Sequence, residues 1–181
     1  MSLNNLSSTT KLDSHANCCL VGRNALILSK TNKLVRLTGY DDTGLSKLYK
    51  IVYAAVAYND LQTGEAVMLT INQAVWVLQL GHNLLCPMQM QVSGIRLNKQ
   101  PKFLTCNLTV SCHAISIPDD LEGKDYVIPL LLKGIDSYFS LHWPMPVKFK
   151  SVNQIYALTQ EEPVGDPHSS EYAEIENKMM D

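Results

Sequence analysis

A carboxylate, a hydroxyl and a small side chain stand close together at Asp13-Ser14-His15-Ala16, directly after Leu12. A single carboxylate in water is an ordinary acid. Two carboxylates held about 3 Å apart cannot both ionise, so they share a proton, and one acts as base while the other acts as acid. Asp13 suits that chemistry once a twin is brought to it. The Ser14 hydroxyl can tie such a loop to its neighbour and hold the carboxylate in plane. His15 reads as a solvent-facing side chain, with a switchable base beside Asp13 as the alternative. The tetrapeptide also fits a plain surface turn built on Asp and Ser.

Other groups are less suited. Asp42-Thr43-Gly44 offers a second carboxylate and hydroxyl, but it follows the polar Gly39-Tyr40-Asp41 and precedes Leu45. A reactive Asp belongs after a buried strand, and Asp41 would add unwanted charge, so this triplet reads as a turn. His82 and His113 stand singly near apolar runs and read as packed side chains. The cysteines, Cys18, Cys19, Cys86, Cys106 and Cys112, are odd in number and fit no disulfide framework. Neither Cys106 with Cys112-His113 nor the adjacent Cys18-Cys19 has zinc-site spacing, so reduced thiols are expected and no metal or cofactor is. No Ser-His-Asp or Cys-His set carries a local signature.

The elements that position Asp13 must come from one domain, or from one small domain with an appendage, because the chain has 181 residues. Hydrophobic residues make up 46% and charged residues 18%, which is too apolar for a disordered chain. The net charge of -2, without a cluster of Lys and Arg, gives no sign of a nucleic-acid surface. No basic segment followed by an apolar core marks a signal peptide, and no apolar run approaches the roughly 20 residues of a membrane span.

Along the chain, residues 1–10 are polar and read as a flexible tail. Leu20-Val21, Ala25 to Leu28 and the alternating Lys33 to Thr38 read as strands, and Gly39 to Gly44 as a turn. Tyr49 to Tyr58 and Ala66 to Ile71 form two strands joined by the polar Asn59 to Glu65, a hairpin pattern. Ala74 to Leu80 is a further strand candidate. Pro87 fits the first turn of a short helix with Met88, Met90, Val92 and Ile95 on one face and Gly94 near its C-terminal end. Leu104 to Ile117 alternates and reads as strand. Past residue 118 the character shifts to a loop, then apolar pieces at Ile128 to Leu132 and Tyr138-Phe139, then an extended Trp143-Pro144-Met145-Pro146. A C-terminal helix is expected over Tyr172 to Met180, capped by Ser169 or Ser170.

Several of these landmarks occur in a telling order. Leu12-Asp13-Ser14-His15-Ala16 is followed by Gly22-Arg23-Asn24-Ala25, Gly39-Tyr40-Asp41-Asp42, Ala54 to Tyr58 and Asn72-Gln73-Ala74. His82-Asn83-Leu84-Leu85-Cys86-Pro87-Met88-Gln89-Met90 and Ile128-Pro129-Leu130 come next. The series resembles the protease region of copia-type retrotransposon polyproteins, in the branch whose active-site loop reads Asp-Ser-His-Ala. Ser137 through Leu158-Thr159 to Asp166-Pro167-His168-Ser169 resembles the linker that follows it. The resemblance implies a mainly β, retropepsin-like acid-protease half-barrel with one short helix, active as a symmetric homodimer. It makes Asp13 the catalytic residue, Ser14 the hydroxyl partner and Ala16 the small residue closing the loop. Asn83-Leu84-Leu85 matches the element that lines the cleft floor. By order alone, the tip carrying Asp60, Gln62, Thr63 and Gly64 takes the place of the flap over the substrate. The chain departs from the pattern in having His15 where Gly is usual and Lys11 in the strand before Asp13, where a buried ammonium must reach water. It also lacks zinc-knuckle, integrase and reverse transcriptase motifs.

The expected organisation is a tail at 1–10, a protease domain at 11–117 and a linker segment with a C-terminal helix at 118–181. The expected function is an aspartic endopeptidase that cleaves its own polyprotein through an Asp dyad formed across a homodimer. Its partners are a second copy and a polypeptide substrate, with no direct nucleic acid and no membrane, in the cytoplasm or a virus-like particle. The rival readings are an inactive transposon remnant, a peptide-binding β-domain, and an interaction domain using Trp143 to Pro146 and the C-terminal helix.

Overall fold

Two long runs rich in β-branched and aromatic residues set the frame, because such residues pack well on a pleated surface. The computed structural model describes residues 7–37, 47–119, 123–144 and 154–161. The strands are β1 (Ser7–Leu12), β2 (Leu20–Val21), β3 (Leu26–Leu37), β4 (Lys47–Asn59), β5 (Ala66–Trp76) and β6 (Asn83–Leu85). After the helix α1 (Pro87–Val92) come β7 (Arg96–Asn98), β8 (Ala114–Ile117), β9 (Tyr126–Pro129), β10 (Leu131–Lys133), β11 (Asp136–His142) and β12 (Ile155–Ala157). The protein is mainly β. Among the described residues no helix is long and apolar enough to cross a membrane.

β4 and β5 form an antiparallel pair from Asn59↔Ala66 to Ile51↔Val75. Ala54 to Tyr58 are all buried, so both faces of β4 are covered there. The larger sheet has nine strands and runs β10-β11-β1-β6-β2-β5-β4-β3, with β12 added to β5. β11 also meets β4 at His142↔Ala57. That contact closes β11, β1, β6, β2, β5 and β4 into a ring. β7, β8 and β9 make a separate three-stranded sheet. One core joins them: Val56, Leu69, Leu85, Met90, Ile115, Ile128, Phe139 and Leu158 belong to the same buried cluster.

The connection between β4 and β5 is built on Asp60. Its Oδ1 accepts from the backbone N–H groups of Gln62 (2.7 Å) and Thr63 (2.8 Å), and Gly64 supplies the left-handed φ of 73° that brings the chain back. Tyr126 on β9 donates its hydroxyl to Asp60 Oδ2 at 2.7 Å, so the turn is pinned to the smaller sheet. Burial alone would raise the Asp60 carboxyl, but these hydrogen bonds outweigh it and hold the group below its usual value.

The expected hairpin and the short helix are present, with Pro87 in the first turn and Gly94 in a left-handed conformation after the end. Of the face assigned to that helix, Met90 and Ile95 are buried while Met88 and Val92 are exposed. Ala74 belongs to β5, which stops at Trp76, so there is no separate strand to Leu80. Three further expectations need correction. Residues 7–10 are not a flexible tail: they form most of β1, where Ser8 and Thr10 are buried. Leu104 to Ile117 is strand only over its last four residues. In the preceding stretch Thr109 N–H and Oγ1 contact Cys112 Sγ and the Cys112 thiol reaches Asn107 O, so local bonds replace the ladder.

The third correction concerns the segment expected to be a linker. Residues 126–142 and 154–161 are part of the same fold. β11 pairs with β1 from Ser7↔His142 to Lys11↔Tyr138, and β12 runs parallel to β5 from Ile155↔Met68 to Ala157↔Thr70. Leu158 is fully buried, and Thr159 Oγ1 both accepts from Asn72 N–H and donates to Asn72 O, each at 2.7 Å. Residues 162–181, with the expected C-terminal helix and its caps, lie outside the described residues, as do the Asp42-Thr43-Gly44 triplet and Met145-Pro146.

Two predictions test these assignments. Leu158→Ala empties a site in the closed core and should destabilise the protein by about 2–5 kcal/mol in a denaturant titration; a loss below about 0.5 kcal/mol would return residues 154–161 to the status of a linker. Asp60→Asn should lower the melting temperature at neutral pH. Because the folded carboxyl sits below its unfolded value, its stabilising effect is complete above that unfolded value and fades as pH falls through the folded one. The gap between wild type and variant should therefore close in acid, below about pH 4, when melting is followed across pH.

Candidate active site

The Asp13 loop is positioned by the short strand β6, which lies between the strands that enter and leave it. β1 runs parallel to β6, with Thr10↔Asn83, Lys11↔Leu84 and Leu12↔Leu85 in register. β2 lies antiparallel on the other side, with Leu20 opposite Leu84. The loop from Asp13 to Cys19 therefore crosses over the C-terminal end of β6. At its entry the Asp13 N–H donates to Leu85 O at 3.0 Å. At its exit the Cys19 N–H donates to Gln89 Oε1 at 2.8 Å and the Cys86 N–H donates to Cys19 Sγ at 3.2 Å.

Asn83 locks this frame. Its side chain is completely buried; Oδ1 accepts from Gly22 N–H at 3.0 Å and Nδ2 donates to Thr10 Oγ1 at 3.3 Å. Gly22 has to be glycine, because a Cβ there would stand 2.3 Å from Leu80 O and 2.8 Å from His82 O. Lys11, one residue from the buried Leu12, turns its ammonium outward to Asp136 Oδ2 at 2.8 Å, with both side chains nearly half exposed. The Asp136 carboxyl is held below its usual range by that ammonium. The departure at Lys11 is thereby accommodated.

The Asp13 side chain is 38% exposed and its Oδ1 accepts from the His15 N–H at 2.9 Å. Ser14 is exposed, and Ala16 is half-buried against the core. The His15 side chain is 96% exposed, with Nδ1 3.7 Å from Asp13 Oδ1. It faces solvent beside the carboxylate. The structure brings Asp13, Ser14, His15 and Ala16 together with Asn83, Leu84 and Leu85. As a cleft floor the last three divide: Asn83 and Leu85 are wholly buried, so only Leu84 keeps an exposed part.

The residues expected as a flap are not placed with this group. The turn holding Asp60, Gln62, Thr63 and Gly64 adjoins Ala66, whereas β5 meets β2 at Val75 and Trp76. The two points are opposite ends of β5, up to about 30 Å apart along an extended strand. The bond from Tyr126 fixes the turn there.

The neighbouring thiols do not supply a nucleophile. Burial, with Cys86 close by, pushes the Cys18 thiol up to about 11, and burial also raises Cys19 despite the bond from the Cys86 N–H. Both stay protonated at neutral pH. Buried His113 bonds Ser137 Oγ through Nε2 at 3.1 Å. Among the described residues no group of three or more His, Cys, Asp or Glu is arranged to hold a metal ion.

Gln89 and Thr10 hold the loop and its frame but carry no reactive pattern, so sequence reasoning passed over them. The one available signal was Gln89 itself, a polar residue between Met88 and Met90 on a short apolar helix. No family model matches the chain, and no curated protein or solved structure matches it either.

Asn83→Ala would leave the buried Gly22 N–H and Thr10 hydroxyl without their partner. It should destabilise the fold by about 1–3 kcal/mol by denaturant titration. A change within 0.5 kcal/mol or so would show that the amide does not hold β6 in place.

Proposed function

We propose that this chain is an aspartic endopeptidase of a copia-type retrotransposon, which cleaves its own polyprotein through Asp13 residues paired across a homodimer. The observation that carries the reading is the half-exposed Asp13 carboxylate, presented on a loop gripped at entry and exit by the β6–α1 unit. The ordered resemblance of the flanking residues supports it. A single loop of this kind supplies one carboxylate, and a two-fold axis supplies the other from the same patch on a second copy.

In that dimer the two carboxylates share one proton. The ionised one takes a proton from a water, which attacks the scissile carbonyl, and the protonated one delivers its proton to the leaving nitrogen. The substrate lies extended and is held by main-chain hydrogen bonds. With the Asp60 turn pinned to β9, the β3–β4 arm is one hairpin available to cover a substrate. Beyond Lys30↔Val52 its two strands pair with each other as far as Leu37↔Lys47 and are largely exposed.

One observation favours the rival reading of an inactive remnant that still binds peptides. The His15 imidazole occupies space directly beside Asp13, where a partner loop and a substrate must come close. One experiment separates the two readings. The chain is fused within its flanking polyprotein and cleavage is followed across a dilution series. Wild type should cleave, with a rate per chain that falls on dilution. Asp13→Asn should lose about 10²-fold or more, and Asp42→Asn should cleave as wild type does. Cleavage that persists in Asp13→Asn, or a rate per chain unaffected by dilution in a proven monomer, would overturn the proteolytic dyad. Peptide binding without cleavage would establish the remnant.

A further inference from the structure

We infer that Gln89 is a positioning residue for Asp13: its side-chain amide fixes the exit of the reactive loop and so aims the carboxylate. The inference rests on the proteolytic reading for its catalytic consequence, and on geometry for the rest. The entry of the loop needs no side chain, because it is held by the strand ladder through Asp13 N–H and Leu85 O. At the exit the Cys19 carbonyl accepts from Val75 N–H at 2.9 Å and its Sγ accepts from Cys86 N–H, which leaves the Cys19 N–H outside the ladder. There the Cys19 N–H is fully buried and points at Gln89 Oε1, 2.8 Å away.

The other half of the Gln89 amide is also committed. Its Nε2 donates to Gln73 O at 3.4 Å. Gln73 sits at an irregularity of β5 with a left-handed φ of 55°, a conformation that a non-glycine residue keeps only when its surroundings hold it. The backbone of Gln89 is anchored as well. Its N–H approaches Cys86 Sγ at 3.4 Å, and its carbonyl accepts from Ser93 Oγ, which in turn accepts from Gln160 N–H. One amide thus connects the Asp13 loop, the helix α1 and the irregular part of β5, while the Gln89 backbone links this set to the 154–161 segment.

A hydrocarbon of the same length cannot reproduce these bonds. Removing them frees a buried N–H at the exit of a short loop whose other end is fixed, so the slack falls on the residues between, Asp13 included. A shift of about 1 Å in a catalytic group can cost on the order of 10²-fold in rate. The effect falls on kcat, because Gln89 makes no contact with substrate in this scheme. Glu at the same position keeps an acceptor for the Cys19 N–H, but it loses the bond to Gln73 O and turns a second carboxylate oxygen toward that carbonyl.

The test uses the full chain, with the Gln89→Met and Gln89→Glu variants. Amide hydrogen exchange at Cys19, measured without substrate, should be about tenfold or more faster in Gln89→Met than in wild type and near wild type in Gln89→Glu. On a peptide spanning a cleavage site found in the polyprotein assay, Gln89→Met should lower kcat about tenfold or more with KM unchanged, and Gln89→Glu should recover most of that loss. Unchanged Cys19 exchange in Gln89→Met would overturn the inference, and so would faster exchange with an unchanged kcat. If Gln89→Met fails to fold, Gln89→Glu decides: exposed-like exchange at Cys19 in that variant also overturns it. A wild-type chain that cleaves nothing would remove the proteolytic reading, while the exchange at Cys19 would still decide whether Gln89 holds the loop.

Discussion

The structure turns on a buried amide that has to be satisfied. Asn83 is shut off from water, and an unpaired amide there would be costly, so its donor and its acceptor must each find a partner in the protein. It finds Thr10 on one side and Gly22 on the other. Those two residues lie before and after the Asp13 loop, so a single side chain sets the distance between the ends of that loop. The requirement extends outward. Gly22 can come close enough only because it has no Cβ. β1 and β2 can flank β6 only in the registers that place Leu12 beside Leu85 and Leu20 beside Leu84.

Closure of the ring explains why a polar first strand is tolerated. β1 contains Ser8 and Lys11, which are weak strand formers, beside the β-branched Thr9 and Thr10, and it pairs with β6 on one side and β11 on the other. Its inward residues face Phe139 and Leu141, and its lysine reaches Asp136 at the surface. Tertiary pairing has overridden weak local preference. At Thr10 and Lys11 the strand is paired on both edges, which leaves no free edge there for unwanted association. The aromatic contacts tie the two sheets together further: Tyr126 and Tyr156 stack with centroids 4.6 Å apart, and one hydroxyl goes to Asp60 and the other to Asp119.

How much of this was legible in the sequence depended on whether the deciding interactions were local. The β4–β5 hairpin could be read because Asp60 and Gly64 carry its turn within a few residues. The helix could be read because Pro87 and Gly94 mark its ends. The Asp13 loop was visible as a spacing of residue types, and the elements around it were visible as an order. β1 and the strands after residue 118 were not legible, because their evidence lies in partners far along the chain: Thr10 looks like tail until Asn83 and Phe139 are beside it. The stretch from Leu104 alternates like a strand, but the thiol of Cys112 gathers its neighbours into turns. The flap was assigned from order alone, and order does not reveal which end of β5 lies beside the Asp13 loop.

The late pairing of β12 has a consequence for the timing of folding. Asn72 and Thr159 are 87 residues apart in the chain, and the loop they close must form before their bonds repay its entropy. A ribosome releases β5 long before it releases Leu158. Throughout that interval the stretch of β5 from Met68 to Thr70 lacks its parallel neighbour, and the slot that Leu158 fills is open. The nascent protein therefore carries an unpaired edge beside an unfilled apolar site, the surface that chaperones engage and that aggregates grow from. The domain becomes complete only after translation has passed well beyond the Asp13 loop, so its completion is delayed by the order of the chain itself.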